Sequence, residues 1–139
     1  MSKIPNHKID EIEGIGPVYR DKLVAAGIAD TDTLLKECAG KAGRDKVAKA
    51  TGVTAPQLLK WANMADLMRI NGVGKQFAEL LEASGVDTVK ELATRRADNL
   101  TAAMVKVNTE KKLCKTNPSE QQVSGWVAEA KTLPPLITH

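Results

Sequence analysis

Apolar residues recur along this chain in short clusters with the spacing of amphipathic helices, and each cluster is bracketed by glycine, proline or a small hydroxyl residue. Ile9 to Ile12 predicts a brief helix that runs into Gly14-Ile15-Gly16. Pro17 then stands where a first helical turn tolerates a missing N–H. Val18, Leu23 and Val24, with Tyr19 and Ala26 near them, give the next helix an apolar stripe, and Gly27 stops it. Thr33 to Ala39 and Arg44 to Ala50 read as short helices, and Thr51-Gly52-Val53 as a turn. Thr54 and Gln57 have capping-box spacing ahead of a longer helix carrying Leu58, Leu59, Trp61, Ala62, Ala65 and Met68.

The plan then repeats. Lys75 to Ser84 predicts a hairpin helix, Thr88 to Glu91 a cap for the next, and Leu100 to Cys114 a longer helix broken near Asn108. Ser119 and Gln122 form a second box before Val123, Trp126, Val127 and Ala130, and Pro134-Pro135 ends the last helix. No run alternates β-branched and polar residues, so the expectation is an all-α fold.

The repeat extends to individual residues. Glu13-Gly14-Ile15-Gly16-Pro17 recurs as Asn71-Gly72-Val73-Gly74-Lys75 at an offset of 58, followed by Leu23/Leu81, Gly27/Gly85 and Ile28/Val86. The aromatics match as well: Tyr19 with Phe77 at 58, and Trp61 with Trp126 at 65. These matches divide the chain into an N-terminal arm (1–8), a first unit (9–68), a second unit (69–133) and a C-terminal tail (134–139). Gly52-Val53-Thr54 and Asn117-Pro118-Ser119 read as degenerate second hairpins within the units. Two cores of this size are marginal alone, so the units are expected to share an interface and form one compact protein.

Composition narrows the class without naming a function. Hydrophobic content of 42% with 27% charged residues is globular, and 3% aromatics favours helix over sheet. The net charge of +3 is a weak bias toward anionic partners, and it splits into +1 (10 basic, 9 acidic) for residues 1–68 and +2 (10 and 8) for 69–139. Cys38 and Cys114 are isolated and fit neither a disulfide framework nor a CxxC metal site. The N-terminus lacks the apolar run of a secretion signal and no segment reaches 18 consecutive apolar residues, so a soluble, cytoplasmic protein is expected.

A Gly-apolar-Gly turn between helices is the core of the helix-hairpin-helix element. Its glycines let a partner approach the backbone, Ile15 or Val73 plugs the core, and the turn amides with the following helix N-terminus form a phosphate site. The alternative is a tight corner that only closes a bundle. Charge separates the two copies: Asp10, Glu11 and Glu13 flank the first, with Arg20 and Lys22 on its helix. Arg69, Asn71 and Lys75 flank the second, which has no acid before Glu79. The candidate nucleic-acid contacts are therefore Arg69, Asn71, Gly72, Val73, Gly74 and Lys75, then Gly14, Ile15, Gly16 and Lys22. Lys111, Lys112 and Lys115 extend the footprint, beside Lys106, Arg95 and Arg96 and opposed by Asp98 and Glu110; a solvated helix face is the plainer reading. The aromatics do not interleave with these charges and read as core anchors. His7 and His139 have no metal partners, Asp30, Asp32 and Glu37 fit helix capping better than a cation loop, and no nucleophile-base pair or Walker motif is present. No catalytic residue, cofactor or small-molecule substrate is indicated.

The stretches Ile12 to Pro17 with Leu23 and Ala26-Gly27-Ile28, and Ile70 to Gly74 with Ala78, Leu81 and Gly85-Val86, resemble helix-hairpin-helix motifs. From Leu67 through Pro135 the chain closely resembles the bacterial family named domain of unknown function 4332. The resemblance rests on Asp87 to Ala93, Val107-Asn108, Lys111-Lys112-Leu113, Pro118-Ser119-Glu120 and Trp126. It implies two tandem helix-hairpin-helix (SAM-like) units, a DNA-binding role and turn carbonyls able to hold a monovalent cation, and it supplies no enzymatic activity. Arg20 departs from it by standing where the second copy has the small Ala78. Sequence-nonspecific DNA binding is thus the first functional expectation, and a protein-interaction adaptor with purely structural hairpins the second.

Overall fold

Four helices begin where a side-chain oxygen can take the first free amides. Asp30, Thr54, Thr88 and Ser119 accept from the backbone N–H of Thr33, Gln57, Glu91 and Gln122, and each such cap is worth about 1 kcal/mol. Of these four, Ser119 alone completes a capping box, with Gln122 Oε1 accepting from its amide at 2.9 Å. The computed structural model describes residues 5–138. A 3-10 turn over Ile9–Glu11 leads into α1 (Pro17–Ala25), α2 (Thr31–Cys38), α3 (Lys41–Thr51) and α4 (Ala55–Leu67). Then come α5 (Lys75–Ala83), α6 (Val89–Leu92), α7 (Ala97–Lys111) and α8 (Glu120–Ala130). The fold is all-α; among the described residues there is no strand, only an isolated bridge between Lys8 and Asp30.

Three helices differ in extent from the sequence expectation. α2 starts at Thr31 because its cap is Asp30, and α3 starts at Lys41 directly after Gly40. α7 starts at Ala97 and ends at Lys111, three residues earlier at each end than expected, and is unbroken at Asn108, whose side chain instead closes the loop beyond the helix. Its Oδ1 accepts from Cys114 N at 2.8 Å, and its Nδ2 donates to Cys114 O and Asn117 Oδ1. The apolar stripe expected on α1 is also absent: Val18 is 66% and Val24 48% exposed, and Leu23 alone is buried, because α1 packs chiefly on the 3-10 turn.

α4 is the spine. Residues 61–70 are all buried, with α2, α3 and α5 packed against this helix. In the second half α6 and α7 pack on α8, and α5 bridges α4 and α7. The core therefore runs through the expected boundary at residue 68 without a gap. A buried ion pair sits at that seam: Arg69 Nε and Nη2 donate to Asp66 Oδ1 at 3.0 and 2.6 Å, and Asp66 Oδ2 accepts from Val89 N at 2.8 Å. Arg69 Nη2 also holds Pro134 O at 2.8 Å.

The described parts of the arm and tail are pinned rather than free. Asn6 and His7 bond to Asp30, Thr31 and Asp32, and the His7 ring lies 3.3 Å from Met68 O, so this histidine ties the segment before the 3-10 turn to the seam. Thr138 pairs with Ala39, while the buried Arg44 guanidinium donates to Cys38 O, Ala39 O and Thr138 O. The rest of the expected arm and His139 lie outside the described residues.

Candidate nucleic-acid interface

The two glycine turns have the same backbone. Ile15 N donates to Ile12 O and Val73 N to Ile70 O, at 3.2 and 3.1 Å, while Gly14 and Gly72 take φ of +94° and +90°. Beneath each lies a tryptophan from the last helix of the same half: a Cβ on Gly14 would sit 3.4 Å from Trp61 Nε1, and one on Gly72 3.3 Å from Trp126 Nε1. Tyr19 then packs edge-on against Trp61, and Phe77 against Trp126, each with centroids 5.1 Å apart. The aromatics match between copies but touch within them, and each pair fastens a turn to the helix that closes its half.

The second glycine of each turn is different. Gly16 and Gly74 have φ of −86° and −96°, which any residue adopts, and a Cβ on either would meet nothing within 4 Å. Neither serves as a side-chain cap, so the first amides of α1 and α5 stay open. Among the described residues, the N–H groups of Gly74, Lys75, Gln76 and Phe77 have no acceptor, Ala78 N being the first to bond, to Gly74 O. The first turn offers one donor fewer because Pro17 replaces Lys75. The α3 and α7 N-termini also lack side-chain caps, but neither follows such a turn.

The charges do not fall where sequence neighbours alone suggest. Arg69, expected at the second turn's surface, is 5% exposed and committed to Asp66 and Pro134, so it leaves the interface. Asn71 is also occupied: Glu129 of α8 accepts from Asn71 N at 3.1 Å and Nδ2 at 3.2 Å. The second turn thus has a carboxylate against it after all. Lys75 Nζ lies 3.2 Å from Glu13 Oε2, which sets the two turns side by side. Ile15 and Val73 are buried plugs whose amides are already bonded inward, and Ile12 O and Ile70 O are taken by them.

The remaining candidates divide. Lys22 stands over the Tyr19 ring at 5.9 Å, and Arg20 is drawn to Asp10 and Asp21. Cys114 Sγ donates to Gln76 O at 3.4 Å, which lays the loop carrying Lys112 and Lys115 against the first turn of α5. Lys111 and Leu113 line a cleft of about 290 Å³ with Glu13, Gly14, Lys60, Glu79 and Glu82. Burial pushes the Glu79 carboxyl above its ordinary value, and Glu13 and Glu82 add to the shift against Lys60 and Lys75. Arg95 and Arg96 serve Gly85, Glu91 and Asp98 locally. The thiols are unreactive by environment: burial raises Cys38 to about 11, and burial followed by Glu79 raises Cys114.

Glu129 was not legible as a site residue, although one signal pointed to it. It stands 65 residues after Met64, the offset that matches Trp61 with Trp126, so an acid lies where the first half has a buried residue.

A family model described as a domain of unknown function (DUF4332) matches residues 13–133. The chain belongs to this family. In this DUF4332 protein the matched span contains both glycine turns, both tryptophans and the Asp66–Arg69 seam. No curated protein and no solved structure matches the chain. No helix among the described residues is long and apolar enough to cross a membrane, and no group of three metal-capable side chains forms among them.

Proposed function

We propose that this chain is two tandem helix-hairpin-helix units related by internal duplication, and that it binds the phosphate backbone of nucleic acid without reading base sequence. The contact is the open N-terminus of α5, with Lys75, Lys112 and Lys115 around it. One observation carries the reading. Gly14 and Gly72 are explained by positive φ and a tryptophan beneath, so a purely architectural turn accounts for them. Gly16 and Gly74 need neither; glycine suits an N-cap, but a capping Asp or Ser there would stabilise the helix further. Glycine instead keeps four amides open to an anion favoured by the helix dipole.

The adaptor reading keeps one specific support, the exposed Val18 at the tip of α1 beside the exposed Pro17. Gly74→Asp separates the two. An Asp there would cap α5 as Asp30 caps α2, so stability should hold or rise by a few tenths of a kcal/mol. Affinity for a labelled duplex at low salt should nevertheless fall by about tenfold, roughly the free energy of one charge-assisted contact. Gly16→Asp, with the same charge change, should cost less. Wild-type binding must weaken with added salt; a Gly74→Asp protein that binds like wild type rules out this contact.

A further inference from the structure

We infer that Glu13 of the first turn is an affinity-setting residue of the second turn, where its carboxylate holds the place of a ligand phosphate on Lys75. This inference rests on the anion site proposed at the α5 N-terminus. Glu13 Oε2 stands 3.2 Å from Lys75 Nζ, and both side chains are about half exposed, so the pair is open to exchange. Lys75 is the first residue of α5, and its own amide is one of the four open donors. A phosphate approaching those donors therefore meets a lysine already neutralised by a carboxylate from the other half of the molecule.

Glu13 has little else to hold it. It lines the cleft with Glu79 and Glu82, and its charge is among those that raise the Glu79 carboxyl. Glu82 is drawn to Lys60 at 3.8 Å, and among the described residues Lys75 is the cation that pairs with Glu13. When a phosphate takes Lys75, Glu13 loses its ion pair and is left in a cleft that holds Lys60 and Lys111 as well as Glu79 and Glu82, so the lost pair opposes the exchange. Exposed pairs are weak, so the resulting handicap is small.

The test is a double-mutant cycle on labelled duplex binding at low salt. Glu13→Gln should tighten binding about twofold to fivefold, the range of an exposed ion pair. Glu37→Gln, which removes an exposed acid from α2 with the same change in net charge, should change it less than Glu13→Gln does. In a Lys75→Gln background the Glu13→Gln gain should vanish. A gain no larger than that of Glu37→Gln, or one that persists without Lys75, overturns the assignment while leaving duplex binding standing. If no protein binds duplex, the nucleic-acid reading fails, and titration with inorganic phosphate decides Glu13 separately. The Gly74 to Phe77 amide resonances should then shift at lower phosphate in Glu13→Gln than in wild type. Equal midpoints, or no shift at those amides, overturn it.

Discussion

α1 and α5 follow turns of the same backbone and end on the same glycine stop, yet one is a surface helix and the other is enclosed. Ile28 N and Val86 N close both helices on Leu23 O and Leu81 O at 2.9 Å. Beyond that the environments diverge. Leu80, Leu81 and Ala78 are fully buried on α5, which lies between α4 and α7, whereas the α1 counterparts of Leu80 and Ala78 are the exposed Lys22 and the half-buried Arg20. A repeated motif fixes its own hydrogen bonds, but what covers it depends on its place in the whole. The open copy could accept Arg20 and Pro17; the enclosed copy needs Ala78, and its Leu80 fills space that the first copy does not have.

The sharpest way to break the comparison is to delete the side chains that make α5 an interior helix. Leu80→Ala should cost about 2–5 kcal/mol in urea unfolding, as for other fully buried leucines, while Lys22→Ala at the matched position should stay within about 0.5 kcal/mol. Arg69→Ala belongs with the large effects, about 3–5 kcal/mol, because it strands the buried Asp66 carboxylate. Lys75→Ala should leave stability nearly unchanged. Comparable losses at Leu80 and Lys22 would mean that the enclosure of α5 contributes nothing.

The two glycines of a turn should separate next. Gly72→Ala forces an L-residue into φ of +90° over Trp126 and should cost about 1–2 kcal/mol, with Gly14→Ala similar. Gly74→Ala and Gly16→Ala, in extended backbone with open space, should cost less, about 0.5 kcal/mol by thermal unfolding, because alanine is a poorer N-cap than glycine. If all four cost the same, the second glycines are architectural and the case for an anion site weakens.

Local features were legible in the sequence and long-range ones were not. Thr54, Thr88 and Ser119 announce helix starts, and Gly27 and Gly85 helix ends, because a cap or a left-handed stop acts within a few residues. The paired aromatics read as anchors from the sequence, but their partners do not, since Trp61 reaches Tyr19 across the whole first half. The candidate site suffered most. Arg69 looks like a surface cation beside a glycine turn until Asp66, one helical turn earlier, claims it. The second turn looks free of acid until Glu129, 58 residues away, bonds Asn71. Charge at a surface is a sum over neighbours in space, and the chain lists only neighbours in order.

The smallest effect tests the same asymmetry through protonation. Glu79 on α5 lines the cleft and its carboxyl is raised, first by burial and then by Glu13 and Glu82; its α1 counterpart, Asp21, is exposed. A raised acid binds its proton more readily in the folded chain, so the native state is favoured below the unfolded value of 4.5, and that advantage is lost as pH rises through the folded value. At pH 7 the desolvated charge is therefore a liability. Glu79→Gln should stabilise the protein slightly at pH 7, with the gain shrinking to nothing as pH falls below 4.5. Asp21→Asn should show no matching gain. Urea midpoints at both pH values measure this, and a Glu79→Gln protein less stable than wild type at pH 7 would show that the Lys60 and Lys75 attractions outweigh burial, making the cleft a bond between the halves rather than a strain.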